Sequence, residues 1–333
     1  MMKLGAYTAC LHDKTLDEAL EILRDLGLTS VEVNAGGFVG TPHLPVEELL
    51  TSAAARAEYL AVFARYGIEL TALNCNGNPL HPDPAVTHGA DLKRAIELAG
   101  LLGVKTVITM SGLPAAEPGG TRPSWTVIPW DSVYLETLDY QWDDVAVPFW
   151  TDMQRLAAEH GVRVAIEMHP HNLVFNPATL RRLVERTTPP GGANRIGAEL
   201  DPSHLFWQHI DPVRAIEDLG ELVFFAAAKD TLIHEGAAVN GVLDDRFARI
   251  PAEEQPQGLG GRHTVTRWPA VPGWSFVAVG RGHDVDFWAR FLTALADHTP
   301  VEAVNIEHED ASFGQVEGLR FAADNLIAAA RKP

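Results

Sequence analysis

Carboxylates and imidazoles occur close together at the ends of three apolar runs in this sequence. The three segments are RVAIEMHPHN (163–172), ELDPSH (199–204) and NIEHED (305–310). Their acidic residues Glu167, Asp201 and Glu307 would repel one another in a partly dry pocket unless a cation compensated them. Oxygen ligands joined by an imidazole suit Mn²⁺, which is favoured here, and also Mg²⁺ or Co²⁺. The three segments together therefore predict one divalent cation, although each carboxylate alone is better explained as a helix cap or an ion-pair partner.

Eight apolar or β-branched runs alternate with helix-like segments and must position these groups. The strands are predicted at 3–9, 30–35, 69–75, 105–112, 163–169, 195–204, 222–230 and 301–310. Eight strand-then-helix units predict an α/β protein with a (β/α)8 TIM barrel, whose active site lies at the carboxyl ends of the strands. An open doubly wound sheet is the alternative, but no Gly-rich phosphate fingerprint follows the first strand.

The barrel needs only about 250 residues, so the surplus of this 333-residue chain must lie in loops. It falls into two Gly-, Pro- and Trp-rich insertions after strands 4 and 7, at about 111–146 and 231–283. Because long loops in a compact domain are usually functional or disordered, and these are rich in Trp, we expect them to be ordered. The prediction is a single domain over 1–333 with two long loops.

Composition limits the classes of partner. The chain has 26 Lys and Arg against 44 Asp and Glu, a net charge of −18. Such a charge repels phosphate backbones, so nucleic acid is not expected as a partner. No apolar run is long enough to span a membrane, and the N-terminus lacks the features of a signal peptide. Two cysteines cannot form a disulfide framework, which favours a cytoplasmic setting.

The ordered motifs resemble those of a known group. AIEMHPHN, LDPSH, AAAKDT, GRGHD and IEHED, together with NGNPLHP (76–82), are similar to motifs of the xylose-isomerase-like, or sugar phosphate isomerase/epimerase, superfamily of TIM barrels. The resemblance covers nearly the whole chain. It implies a divalent metal held by Glu, Asp, His and Glu, of which Glu167, Asp201 and Glu307 match the carboxylates.

The histidine ligand departs from the pattern of the superfamily. Many relatives place it on strand 7, two residues before the lysine, where this chain has Ala227. A methyl group cannot bind a metal. His283 in GRGHD is the predicted replacement, because its loop returns to the barrel mouth after the second insertion; His171 or water is the alternative.

The resemblance also assigns roles in catalysis. Glu167 and Glu307 match positions that both bind the metal and transfer protons in epimerase-like relatives. His169 is a third candidate for proton transfer, because two-residue periodicity places it on the same strand face as Glu167. The predicted substrate-binding residues are His204, Lys229, Arg281, Asn78, His81 and Trp125. Turn formation by Asn78, loop packing by Trp125 and solvation of Arg281 are the structural alternatives.

Four functions fit this site to different degrees. The first is a metal-dependent isomerase or epimerase that removes a proton next to the carbonyl of a sugar, keto-sugar or keto-inositol and passes through a metal-bound enediolate. The second is a lyase on a 3-keto-glycoside, because the long loop before GRGHD is similar to that of the large subunit of C-glycoside deglycosidases. An endonuclease-IV-like repair enzyme needs a basic groove, and a non-catalytic sugar-binding barrel does not explain the intact carboxylates.

The expected partners follow from these functions. The ligand is a small sugar or glycoside, with no dedicated phosphate-binding motif in the chain. A homo-oligomer is expected for the isomerase or epimerase. A complex with a small β-rich subunit is expected if the lyase interpretation holds.

Overall fold

The computed structural model describes residues 2–332 and closes eight parallel strands into a barrel. The strands are β1 (Lys3–Tyr7), β2 (Ser30–Asn34), β3 (Glu69–Asn74), β4 (Thr106–Met110), β5 (Arg163–Glu167), β6 (Ile196–Leu200), β7 (Val223–Ala228) and β8 (Ala303–Ile306). They pair in sequence order, and β8 pairs with β1 to close the barrel. The predicted TIM barrel is confirmed, and each predicted strand overlaps an observed one.

Helices surround the barrel and connect successive strands. The α-helices that follow strands are Leu16–Asp25, Val46–Thr51, Ala53–Tyr66, His88–Leu102, Val147–Glu159, Pro177–Thr187, Ser203–Phe206, Pro212–Leu219, Val285–His298 and Gln315–Ala330. Their ends follow local chemistry: Thr15 and Glu18 form a capping box at the first helix, and Gly103 ends the helix before β4 in the left-handed conformation. Turns of 3-10 helix lie at Thr8–Leu11, Gly220–Leu222 and Ala252–Glu254.

The strand pattern explains why polar groups collect at one end of the barrel. Side chains alternate along a strand, so every second residue points inward. A small apolar cluster of strand residues, separate from the core beneath the helices, comprises Ala72, Ile108, Ala165, Phe224, Phe225 and Ala303. Two residues beyond Ala165 on β5 comes Glu167, which is paired in register with Met110 and Glu199. The carboxyl ends of the strands therefore carry the inward-facing acids.

The two insertions are ordered and differ in structure. The first contains a helix at Ser132–Asp139 that continues as a π-helix over Tyr140–Ala146. The second contains a short helix at Ala237–Asn240 and three antiparallel strand pairs: Asp230–Ile233 with Trp274–Val277, Ala248–Arg249 with Thr266–Arg267, and Gly258–Gly260 with His263–Thr264. Among residues 2–332, no helix is both long and apolar enough to cross a bilayer.

Candidate active site

Three acidic side chains meet at the carboxyl end of the barrel. Glu167 closes β5, Asp201 follows β6 and Glu307 follows β8, and one oxygen from each lies within 4.8 Å of the other two. The side chains of Glu167 and Asp201 are 2% and 1% exposed, whereas that of Glu307 is 15% exposed. The fold thus brings together the three carboxylates chosen from the sequence, and Glu307 is the most accessible of them.

Two histidines extend this cluster around Glu167. The Nε2 atom of His204 lies 3.1 Å from Glu167 Oε1 and 3.4 Å from Asp201 Oδ2. One ring nitrogen of His169 belongs to the same group, since Glu167, His169 and His204 also offer ligand atoms within 4.8 Å of one another. Because His169 Nδ1 lies 2.6 Å from the carbonyl oxygen of Pro170, Nδ1 carries the proton and Nε2 keeps a lone pair.

Lys229 supplies positive charge beside the carboxylates. Its Nζ atom lies 2.9 Å from Glu307 Oε1 and 3.3 Å from Glu309 Oε1, and 4.3 Å from the centre of the Phe276 ring. Burial lowers the pKa of Lys229, but Glu307 and Glu309 outweigh it and hold that pKa well above its ordinary value. The ammonium is therefore charged and faces the site under an aromatic cover.

The single positive charge of Lys229 does not neutralise all of the neighbouring carboxylates. Burial raises the pKa of Asp201 to about 7, and burial also raises the pKa of Glu307 well above its ordinary value. Burial also acts on Glu167, but hydrogen bonding from His204 and the nearby His169 lower its pKa to about 2. Asp201 Oδ2 is buried and accepts no hydrogen bond. Oxygen donors of this kind, with an orphaned carboxylate oxygen and an imidazole nitrogen beside them, fit a divalent cation.

The pH dependence of stability tests this fit. The carboxyl groups of Asp201 and Glu32 have pKa values raised to about 7, so the folded metal-free protein holds protons that the unfolded chain releases. Its stability is therefore greatest below about pH 4 as far as these groups are concerned, and is lost as pH rises through 7. Since a cation bound by Asp201 displaces the proton on that carboxyl group, Mn²⁺ should raise the melting temperature by several degrees more at pH 8 than at pH 5.

Differential scanning calorimetry with and without Mn²⁺ measures this effect. Asp201→Asn is the control, because it removes a titrating ligand, and we expect it to reduce the pH dependence of the Mn²⁺ stabilisation. An equal effect of Mn²⁺ at both pH values in the unmodified chain would contradict a cation bound by these carboxylates.

The structure does not bring His283 to the three carboxylates. Its Nδ1 atom lies 2.7 Å from Asp230 Oδ1, and its ring stacks on Phe206 with centroids 3.7 Å apart. Three backbone N–H groups within residues 280–283 donate to the other oxygen of Asp230. The side chain of Asp230 therefore fixes the end of the GRGHD loop. Among the described residues, Asp230 makes no side-chain hydrogen bond to Lys229. His204 replaces His283 as the imidazole next to the acids.

Four predicted substrate-binding residues also lie outside the site and are occupied by other contacts. Asn78 bonds the backbone of Leu80 and Leu113, so it builds the loop after β3. The remaining three contacts are His81 Nδ1 accepting from the Asp83 backbone, Arg281 Nη1 donating to Asp310 at 2.6 Å, and Trp125 packing edge-on against His171 and Phe175. Asn78 and Trp125 thus make the turn and loop-packing contacts named as their alternatives, whereas Arg281 is ion-paired with Asp310 and not merely solvated.

Some residues of the site were not chosen from the sequence. Asn76 donates from Nδ2 to Glu167 Oε2 at 2.8 Å, and the pattern that could have found it is its two-residue spacing from Asn74 at the end of β3. Glu199, inside β6, is 3% exposed, and burial raises its pKa well above the ordinary value. Glu309 contacts Lys229. It lies in the polar segment HED (308–310), where no sequence pattern distinguishes it from its neighbours.

A cavity of about 790 Å³ opens above these groups. Its floor includes Asn76, Glu167, His169, Lys229 and Glu307. The second insertion contributes the wall residues Gln257, Leu259, Thr264, Val265, Thr266, Trp268 and Phe276. The cavity therefore has a polar, charged floor and a largely apolar wall, and the aromatic residues at the wall are Trp268 and Phe276 instead of Trp125.

Comparison with known proteins agrees with the barrel fold. The family described as xylose isomerase-like TIM barrel matches residues 20–326. The chain belongs to this family. The uncharacterised protein YfiH from Bacillus subtilis (strain 168) is 35% identical to it over 330 residues, which cover 98% of each chain.

Solved structures of the same barrel fold are more distant in sequence. IolI, solved with a zinc atom bound, is 18% identical, with a TM-score of 0.59 and coverage of 99% of this chain and 96% of IolI. The 3-keto-D-glucoside 4-epimerase YcjR from E. coli is 14% identical, with a TM-score of 0.57 and full coverage of both chains. At these identities the likeness establishes the fold of this xylose isomerase-like protein.

The identity of the imidazole ligand is open to a direct test. His204→Ala should weaken Mn²⁺ affinity at least about tenfold, because His204 Nε2 lies against two of the three carboxylates. His283→Ala should change it less than about threefold, since Asp230 holds that ring elsewhere. Isothermal titration of Mn²⁺ into metal-free protein measures both. The reverse order of effects would restore His283 as the ligand.

Proposed function

We propose that this protein is a divalent-metal-dependent sugar isomerase or epimerase that moves a proton next to a carbonyl group. The carrying observation is the convergence of Glu167, Asp201 and Glu307 beside His204, with Glu167 and Glu307 lining the cavity. Membership of the xylose isomerase-like family supports this chemistry. Two structures of the same fold are consistent with it: IolI holds zinc, and YcjR is a keto-glucoside epimerase.

The residues have separable roles in this proposal. Glu167, Asp201, Glu307 and His204 would hold the cation, which polarises adjacent carbonyl and hydroxyl oxygens and so acidifies the neighbouring C–H when it is bound. Asn76 fixes the carboxylate of Glu167 by a hydrogen bond to Oε2. Glu167 is therefore held in place, and it can serve in metal binding or in proton transfer.

Two groups that face the cavity, His169 and Glu307, are further candidates for proton transfer. His169 keeps a lone pair on Nε2, and Glu307 is the most exposed of the three carboxylates. Either can take the proton from carbon and return it. Return to the neighbouring carbon isomerises the sugar, whereas return to the opposite face epimerises it. Lys229, charged and within reach of Glu307, stabilises the negative charge that develops on the substrate oxygen.

Hydrogen exchange with solvent tests this proposal. Mn²⁺-loaded protein is incubated in D₂O with aldoses, ketoses, keto-glucosides and keto-inositols, and proton NMR follows the C–H next to the carbonyl. We expect deuterium incorporation with at least one of these classes, and we expect Glu307→Gln or His169→Gln to stop it. If the C–H signal stays unchanged with every one of these substrate classes, the proposal is wrong.

One observation favours a second candidate, a lyase that eliminates an aglycone from a 3-keto-glycoside. The cavity of about 790 Å³ lies within the range of about 300–1,000 Å³ that suits drug-sized ligands, and is roomy for one sugar ring. Leu259, Val265 and Trp268 offer an apolar wall to a non-sugar group. Release of a chromogenic phenol from a 3-keto aryl glycoside, with and without an added small β-rich subunit, separates this candidate from the first.

A further inference from the structure

The first insertion exposes a continuous apolar segment at residues 127–135. Trp130 is 91% exposed, Ile128 is 62% exposed and Val133 is 53% exposed; the other exposed members are Val127, Tyr134 and Leu135. The helix Ser132–Asp139 that carries half of these side chains has no buried residue. A short helix gains most of its stability from packing an apolar face. The face of this helix is left without a partner inside the described chain.

The exposed area is large for a single chain. From the size of these side chains and their exposed fractions, segment 127–135 presents roughly 500–700 Å² of mostly apolar surface, at or above the largest patches of about 300–600 Å² on typical monomers. It also approaches the roughly 800 Å² that each partner contributes to a standard interface. The patch is therefore of the size that a stable protein–protein contact needs.

An apolar pocket is lined in part by a residue that precedes this segment in the chain. Trp125, five residues before Trp130, forms one wall of a pocket of about 90 Å³, whose other walls include Trp207, Leu243, Phe247 and Trp268. The chain thus carries both a protruding indole, at Trp130, and an apolar cleft.

We propose that a second copy of this chain docks on this face, each copy inserting Trp130 into the pocket of the other. A two-fold interface requires that one face be complementary to itself. The chain supplies both parts of such a contact, the protruding side chain of Trp130 and the apolar cleft.

Two residues, His171 and Trp268, line both the pocket and the substrate cavity. Trp268 lines both the pocket and the cavity wall, so a copy docked in the pocket would fix the outer side of that indole. The net charge of the chain predicts how the contact depends on salt. Since each copy carries −18, the copies repel one another at long range, and moderate salt should strengthen the dimer by screening this repulsion.

Analytical ultracentrifugation of the full chain tests the proposal. We expect the unmodified protein to sediment at twice 36.2 kDa at micromolar concentration, and more completely in added NaCl. Trp130→Glu and Phe247→Glu should each weaken the association by about tenfold or more, as expected for residues at the centre of an interface, with an unchanged circular dichroism spectrum. Leu101→Glu is the matched control, because Leu101 is 41% exposed but lies outside both insertions, and it should remain dimeric.

Cysteine cross-linking tests the geometry directly. Cys10 and Cys75 are buried, so Trp130→Cys combined with Leu243→Cys introduces the accessible thiols. Oxidation should yield a disulfide-linked dimer on a non-reducing gel, as should an equal mixture of the two single variants. A monomer at micromolar concentration, or a dimer that survives Trp130→Glu, would overturn the proposal. These outcomes are independent of catalysis, so they leave the proposed function untouched.

Discussion

Glu167→Gln is expected to cost the protein its bound cation and almost all of its activity. Glu167 is the one residue shared by the carboxylate group and the histidine group, and it accepts hydrogen bonds from Asn76 and His204. An amide keeps the shape but removes the charge that a divalent ion requires. We expect metal content measured by elemental analysis to fall severalfold and kcat/KM to fall roughly 10³-fold, which corresponds to about 4 kcal/mol of transition-state stabilisation.

Glu199→Gln is the matched control for this variant. Glu199 lies beside Glu167 in the strand register and is similarly buried, but it belongs to neither group of candidate ligands. It should retain the cation. Equal loss of metal in both variants would indicate general damage to the barrel interior, and full retention of metal and activity in Glu167→Gln would remove the basis of the proposed site.

Lys229→Met is expected to produce the second largest effect, on turnover more than on substrate binding. The ammonium lies against Glu307 and Glu309 beneath Phe276, where a charged donor is worth far more than in water. Methionine fills the space without the charge. We expect kcat to fall about 10²–10³-fold, as for loss of one preorganised donor, while KM changes little.

Arg281→Met is the control, because the guanidinium of Arg281 pairs with Asp310 and does not line the cavity. Its activity should stay near that of the unmodified protein. A larger loss of kcat in Arg281→Met than in Lys229→Met would reverse the assignment of the substrate-facing cation.

The barrel and its carboxylates could be predicted because both depend on local order in the sequence. Short apolar runs mark the strands, and an acid one or two residues past the end of an apolar run has to lie at the mouth of a parallel barrel. The positions of Glu167, Asp201 and Glu307 follow from those two facts. This prediction did not depend on the path of either long loop.

His283 could not be placed by the same reasoning, because its position depends on a competition that the sequence does not display. The buried carboxylate of Asp230 hydrogen-bonds to the ring and the backbone N–H of His283. The ring therefore lies against Asp230 and not against the three acids. Asn76 and Asn78 both follow β3, and only the two-residue spacing of Asn76 from Asn74, the last residue of β3, favours it over Asn78. Only Asn76 points back along β3 to Glu167.

Asp230 has a further consequence for how the second insertion is attached to the barrel. One of its oxygens accepts the backbone N–H of Thr231, where the insertion leaves β7, and the other accepts from Gly280 and Gly282, where the chain returns. A side chain at Gly282 would meet the carbonyl oxygen of Thr231 at 2.2 Å, so the two ends are held in direct contact. The residues between these two ends form an insertion that is closed at its base. Evolution, or a protein engineer, can replace this insertion to suit a new ligand without changing the register of the strands that carry the acidic residues.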